Sequence, residues 1–153
     1  MKKIKVISCV ATVAVMAAIF FFSSQTATVS SNTSSGIANK VIEFILAVFG
    51  NGNSDLNLDI VHKIVRKSAH FSLYFILALS AGNTAYQLFG VENKRLFLYT
   101  LPFCLFYAIS DEIHQIFVPG RTAMAMDIGI DFAGAVCGCI IYVCIKRIYD
   151  RSK

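Results

Sequence analysis

Charge is scarce in this sequence of 153 residues: 15% of positions are Asp, Glu, Lys or Arg, 56% are hydrophobic, and the mean hydropathy is +0.65. So little charge excludes an ordinary soluble domain of this size and points to a small integral membrane protein. A basic stripe is missing as well. The formal charge of +5 comes from short basic runs beside apolar segments, which suits juxtamembrane flanks and excludes nucleic acid as a partner. No CxxC pair occurs among Cys9, Cys104, Cys137, Cys139 and Cys144, and all five fall inside apolar segments. Neither a disulfide framework nor a zinc site is implied, and the cysteines read as small core hydrophobes. Proline is confined to Pro102 and Pro119. No repeat, heptad array or linker divides the chain, so a single domain over 1–153 is expected.

What is present is a set of long apolar runs. Their positions predict an all-α fold, an integral membrane four-helix bundle with transmembrane helices at about 4–22, 68–88, 96–115 and 124–149. The first follows Lys2, Lys3 and Lys5; a cleaved signal peptide is the rival reading, although Ser23 to Ala27 offers a poor cleavage site. Ser- and Thr-rich residues 23–36 predict an exposed connection. Residues 37–49 are apolar at helical spacing but too few to cross about 30 Å of hydrocarbon, so an interfacial or re-entrant helix is expected in the first outer loop. A second amphipathic turn at Ile60, Val61, Ile64 and Val65 leads into Arg66 and Lys67. Pro102 is expected to kink the third helix, and Pro119-Gly120 to turn the chain into the fourth. With the N-terminus inside, nine cations flank the inner side and five the outer. The positive-inside bias therefore predicts a multi-pass protein of the cell membrane with both termini cytoplasmic.

Between the third and fourth runs lies SDEIHQIFVPGRTAMAMDIGID, residues 110–131, which carries Asp111, Glu112, His114, Arg121, Asp127 and Asp131. A carboxylate costs about 2.5 to 3.5 kcal/mol at the centre of a membrane helix and less near its ends, so such groups are paired, solvated or functional. His70 opens the second helix at the same level, and Tyr74 shares its face four residues on. Ser23, Ser24 and Gln25 close the first helix there too. The polar groups thus gather in the outer half, leaving the inner half plain. Asp111 is expected to share a face with His114 and Gln115, with Glu112 about 100° away. Asp127 and Asp131 stack with Gly134 and Gly138, where another helix can approach closely.

These residues admit structural readings. His70 can satisfy local hydrogen bonding near the interface. Asp111, Asp127 and Asp131 can form a salt-bridge net with Arg66, Lys67 and Arg121. Lys63, Arg66 and Lys67 can be headgroup anchors. A metal site from His70, His114 and two carboxylates lacks any recognised ligand spacing, so no metal and no cofactor is expected. Ser110 with His114 as base lacks a strained elbow or an oxyanion hole.

In order along the chain, Phe22-Ser23-Ser24-Gln25, the block from Arg66-Lys67-Ser68-Ala69-His70-Phe71 to Tyr74, Asp111-Glu112-Ile113-His114-Gln115, Pro119-Gly120-Arg121, and Asp127 through Asp131 to Gly134 resemble the VanZ-like family of bacterial membrane proteins. As an ordered set these motifs are fairly specific. Asp131 stands where a neutral amide would be expected, and residues 23–60 look particular to this chain. The resemblance implies a small multi-helix membrane protein, like the family member that raises resistance to the glycopeptide teicoplanin. It carries over no reaction.

Two classes of function follow. A binding or modulating protein would use Arg66, Lys67, His70, Tyr74, Gln115, Arg121 and Asp131 to hold membrane lipid, a lipid-linked peptidoglycan precursor or a lipoglycopeptide. An enzyme would use His70 or His114 with Asp111, Glu112 or Asp127 as an acid–base pair on a lipid-linked substrate. In a scaffold every acid would meet a basic partner. A proton-coupled transporter would need ionisable groups through the full thickness, and the plain inner half speaks against one.

Overall fold

The computed structural model describes residues 2–26 and 58–152, together with the single positions 36 and 40. The expected interfacial helix at 37–49 lies outside the described residues, as does most of the Ser/Thr-rich connection. Among the described residues the chain is all helical. The helices are α1 (Lys2–Ser23), α2 (Leu58–Phe89), α3 (Asn93–Ile116) and α4 (Ala125–Arg151).

Three of them, α1, α3 over Lys94–Ile116 and α4, are long and apolar enough to cross a membrane. The remaining helix, α2, falls short of that apolarity because it carries His70 in its first half and Asn83, Thr84 and Gln87 in its second. It also begins ten residues before the expected Ser68. The amphipathic turn at Ile60–Val65 and the predicted membrane segment are one continuous helix, since no Gly or Pro falls between them and Lys63, Arg66 and Lys67 are good helix formers. At about 1.5 Å per residue, its 32 residues reach about 48 Å, well beyond about 30 Å of hydrocarbon. α3 likewise runs through Pro102, an exposed position; prolines are tolerated inside membrane helices.

Cross-helix pairs give the arrangement. Ser8 and Thr12 near the start of α1 meet Asn83 and Thr84 near the end of α2, while Ile19 near the end of α1 packs in one cluster with Tyr74, so these two run in opposite directions. Tyr107 of α3 donates to the Met16 carbonyl and Asp111 meets Ser23, so α1 and α3 run together. Phe71 and Phe75 of α2 back onto Gly134 and Gly138 of α4, so α2 and α4 run together, against the other pair. The start of α1 and the end of α4 therefore lie at the same end of an up-down-up-down bundle. One core cluster draws on all four helices, with Ile19, Tyr74, Leu77, Ala78, Cys104, Ala108 and Ala135 buried. A second, of Leu96, Cys139 and Val143, closes the other end. Large apolar side chains cover the outside instead, among them Ile7, Val10, Leu98, Phe106, Ile145 and Ile148, as lipid contact requires. Of the cysteines only Cys104 and Cys139 are buried; Cys137 and Cys144 are exposed on that apolar exterior and Cys9 is intermediate.

The half of the bundle away from residues 110–131 is not plain. Asn83 donates to Ser8 Oγ at 2.9 Å and accepts from Tyr142 Oη at 3.4 Å, and Thr12 and Thr84 share a bond of 2.9 Å. Side chains of these types read as unremarkable in an apolar run, because only their neighbours across the interface reveal that they pair. In hydrocarbon such bonds contribute about 0.6 kcal/mol each. Nearer the end, Lys146 pairs with Glu92 and Asp150 and lies over the Tyr86 ring.

α2 and α4 touch backbone to backbone. A Cβ on Gly134 would run into the Phe71 carbonyl, and one on Gly138 into the Phe75 carbonyl and Ala78. Gly129, on the same helix, has nothing within 4 Å. Gly134→Ala and Gly138→Ala should therefore each destabilise the bundle by about 1–3 kcal/mol in detergent unfolding. Gly129→Ala should instead be neutral or stabilise by about 0.5–1 kcal/mol, the ordinary helix preference for alanine. Equal effects at all three positions would rule out this close approach.

Candidate functional site

The end of the bundle where α1 and α3 finish and α4 begins gathers most of the polar residues. Here α3 stops at Ile116, and Val118-Pro119-Gly120-Arg121 folds back. Gly120 adopts φ 77° and the Arg121 N–H donates to the Val118 carbonyl at 3.1 Å, as in a type II turn, where proline presets the second position and glycine alone takes the third without strain. The turn aims Arg121 at the end of α1. Its guanidinium donates to Gln115 Oε1 at 3.2 Å, to the Gln25 carbonyl at 3.2 Å and to the Phe22 carbonyl at 3.5 Å. Burial and the like charge of Arg66 push its pKa down, while Asp111, Glu112 and Asp127 pull it back up. An arginine remains charged under such opposed influences.

Behind Arg121 a buried chain runs inward. Gln115 Nε2 donates to Asp111 Oδ2 at 3.2 Å, and Ser23 Oγ donates to the same oxygen at 2.8 Å. Asp111, Gln115 and Ser23 are all buried. Across from them stand His70 of α2 and Asp131 of α4, with His70 Nδ1 3.6 Å from Asp131 Oδ1, too far for a hydrogen bond. Tyr74 is fully buried one turn further along α2. Lys67 is ion-paired with Asp127 in the first turn of α4, where a carboxylate also suits the helix dipole. Arg66, Lys67, His70, Arg121, Asp127 and Asp131, with Gln115, line one cleft of about 80 Å³, room for a few waters or for a phosphate-sized group.

Two of the expected site residues stand elsewhere. His114 does not share the Asp111 face; it bonds Ser24 Oγ through Nε2 at 3.2 Å and lies against the Phe20 ring. Three residues on from Asp111 rather than four, it meets the outer side of the end of α1, while Gln115 bonds Asp111 on the buried side. Glu112 points to the start of α4, where its Oε1 accepts the Met124 N–H at 2.5 Å. Met124 has no capping side chain of its own, so a carboxylate from α3 satisfies a donor left open at the helix start. Ser23 is the site residue that sequence reasoning placed at the right level but gave no role; only its bond to Asp111 discloses one.

The acids are not all neutralised. Among the described residues, Asp127 has Lys67, but no lysine or arginine pairs with Asp111 or Asp131. A salt-bridge net joining all three acids to Arg66, Lys67 and Arg121 is therefore not what forms. Among the described residues, Arg121 bonds only to neutral acceptors. Replacing it with alanine should cost about 1–3 kcal/mol, because Gln115 loses its partner inside the bundle. The Lys67–Asp127 pair is about a quarter exposed at both side chains (27% and 26%). A double-mutant cycle on that pair should give a coupling of no more than about 1 kcal/mol. A larger coupling for Lys67–Asp127 than the whole cost of Arg121→Ala would reverse this ranking.

No curated protein and no solved structure was found to match the chain. The sequence model of the VanZ/LLP1 family does match, over residues 8–146, a span that contains all four helices' packed parts and every residue of the cleft. The protein is accordingly a membrane protein belonging to the VanZ/LLP1 family.

Proposed function

We propose that the cleft holds the phosphate headgroup of an envelope lipid or of lipid-linked wall material, and that the protein modulates glycopeptide susceptibility, teicoplanin above all, by altering access to that material. The observation that carries this reading is the convergence of Arg66, Lys67 and Arg121 on one cleft, with Arg121 bound, among the described residues, only to neutral acceptors. A planar guanidinium so placed keeps its full charge for a phosphate. The surroundings suit a lipid. An open groove of Ile64, Ser68, Phe71, Ser72 and Ile130 shares Lys67 and Ile130 with the cleft. A headgroup in the cleft would leave its chain lying along this groove, against Ile64, Phe71 and Ile130.

The cation bias assigns the cleft to the outer face, with both termini cytoplasmic, as in a Gram-positive cell envelope. The two termini leave the bundle at one end, which agrees with that orientation. A second reading has one specific observation behind it: His70 facing Asp131 at 3.6 Å resembles an acid–base pair that tightens on substrate binding, and would make the protein an enzyme acting on the same lipid.

The test is binding followed by phenotype. Purified protein in detergent should be stabilised against heat by phosphatidylglycerol or a polyprenyl phosphate and not by phosphatidylcholine, and Arg121→Ala should remove the effect. In a sensitive Gram-positive host, wild type should raise teicoplanin tolerance more than vancomycin tolerance. Arg121→Ala should abolish the gain, while Lys94→Ala at the far end keeps it. Folded Arg121→Ala with undiminished lipid stabilisation and tolerance would refute the proposal. Turnover of the polyprenyl phosphate, lost in His70→Ala, would favour the enzyme.

A further inference from the structure

Among the described residues, two carboxylates lie inside the bundle with no lysine or arginine paired to them. Asp111 is 4% exposed and Asp131 is 2% exposed. Lys67 is taken by Asp127, and Arg121 by Gln115 and two carbonyls. Asp131 Oδ1 is buried and accepts no hydrogen bond. The Tyr74 hydroxyl, also buried and unpartnered, belongs to the layer directly beneath. It is one turn from His70 along α2 and packs in the cluster with Ala108 and Ala135, one turn from Asp111 and from Asp131. A water would satisfy the hydrogen bonds but leave the charge. Buried anions left this way are costly, and what answers both needs is a cation making short bonds.

One ligand atom from each of His70, Asp111 and Asp131 lies within 4.8 Å of the other two. Donors about 2.0–2.2 Å from a common ion stand roughly 3–4 Å apart, so small side-chain rotations suffice to close the set. We propose that His70, Asp111 and Asp131, contributed by α2, α3 and α4, form a divalent-cation site. One nitrogen and two carboxylate oxygens suit a first-row ion such as Zn²⁺ or Mn²⁺ better than Cu⁺, which prefers sulfur, or Ca²⁺, which prefers oxygen alone. Ser23 and Gln115 hold Oδ2 of Asp111 and leave its other oxygen for the ion, the outer-shell arrangement that fixes a ligand's orientation. Because His70 and Asp131 also line the cleft, the ion's remaining positions face it, open to water or to a phosphate oxygen. The site stands on these side chains alone and is independent of the headgroup reading.

The test uses the full chain, purified in detergent, stripped with chelator and given no added lipid. Equilibrium dialysis with Zn²⁺ and with Mn²⁺ should find one ion per chain for at least one of them. Asp111→Asn, Asp131→Asn and His70→Gln should each weaken binding by about 100-fold or more, and Ser23→Ala by about tenfold. Glu92→Gln, at the opposite end of the bundle, should change nothing. Wild-type protein loaded with Mn²⁺ should show electron-spin-echo modulation from a bound imidazole nitrogen, a readout that survives even if the variants fail to fold. Failure of both ions to bind stoichiometrically, bound Mn²⁺ without that nitrogen signal, or affinity retained in the folded Asp and His variants would overturn the site. Failure of lipid binding alone would leave it standing.

Discussion

Everything at the polar end depends on how closely α2 and α4 approach. Gly134 and Gly138 let the two backbones meet at Phe71 and Phe75. The residues that lead up to these contacts on each helix are then brought together: His70 faces Asp131, and Lys67 reaches Asp127. Between membrane helices, lipid tails compete on equal terms with leucine, so association rests on tight van der Waals contact and interhelical hydrogen bonds more than on the hydrophobic effect. Glycines where helices cross are thus also what positions the ionisable groups. The rest follows from this contact. α3 adds Asp111 and Gln115, α1 adds Ser23, and the Pro119-Gly120 turn lays Arg121 across the end of the bundle.

The two ends of the bundle handle polarity differently. Away from the cleft, Ser8, Thr12, Asn83, Thr84 and Tyr142 are neutral and matched with one another, and Lys146 has Glu92 and Asp150. Among the described residues, the Thr100 hydroxyl is the buried side-chain polar atom left without a hydrogen-bond partner at this end. At the cleft, Glu112 is consumed in capping α4 and Asp127 is paired, yet Asp111 and Asp131 are buried without a lysine or arginine. Replacing buried ionic groups by packed apolar ones is often neutral or stabilising. A bundle optimised for stability alone would have no need of two such carboxylates side by side, which is why the unbalanced end is where function is to be sought.

Much of this is legible in the sequence, for definable reasons. Helix existence follows from apolar runs set against so little charge, and the level of the site follows from where the charges fall. The close approach at Gly134 and Gly138 follows from small residues four apart. What is not legible depends on rotation and on partners. His114 and Gln115 are one residue apart, but only Gln115 reaches the buried Asp111 carboxylate. Glu112 looks like a site acid until Met124 proves to lack a cap. The basic cluster at Lys63–Lys67 suggests a boundary, yet helix formers with no breaker carry α2 straight through it. The Asn83 seam is invisible because neutral polar residues in an apolar run give no sign of what they face.

If the unbalanced carboxylates serve function and not folding, removing a charge should release stability. The most direct measurement is the unfolding free energy of Asp131→Asn against wild type, both chelator-treated in the same detergent. The account predicts a variant at least as stable as wild type, gaining up to about 1–3 kcal/mol as the desolvation penalty of the buried charge is relieved. A loss of about 3 kcal/mol or more, the size expected when a needed partner is taken from a buried ion pair, would contradict it and make Asp131 a structural brace.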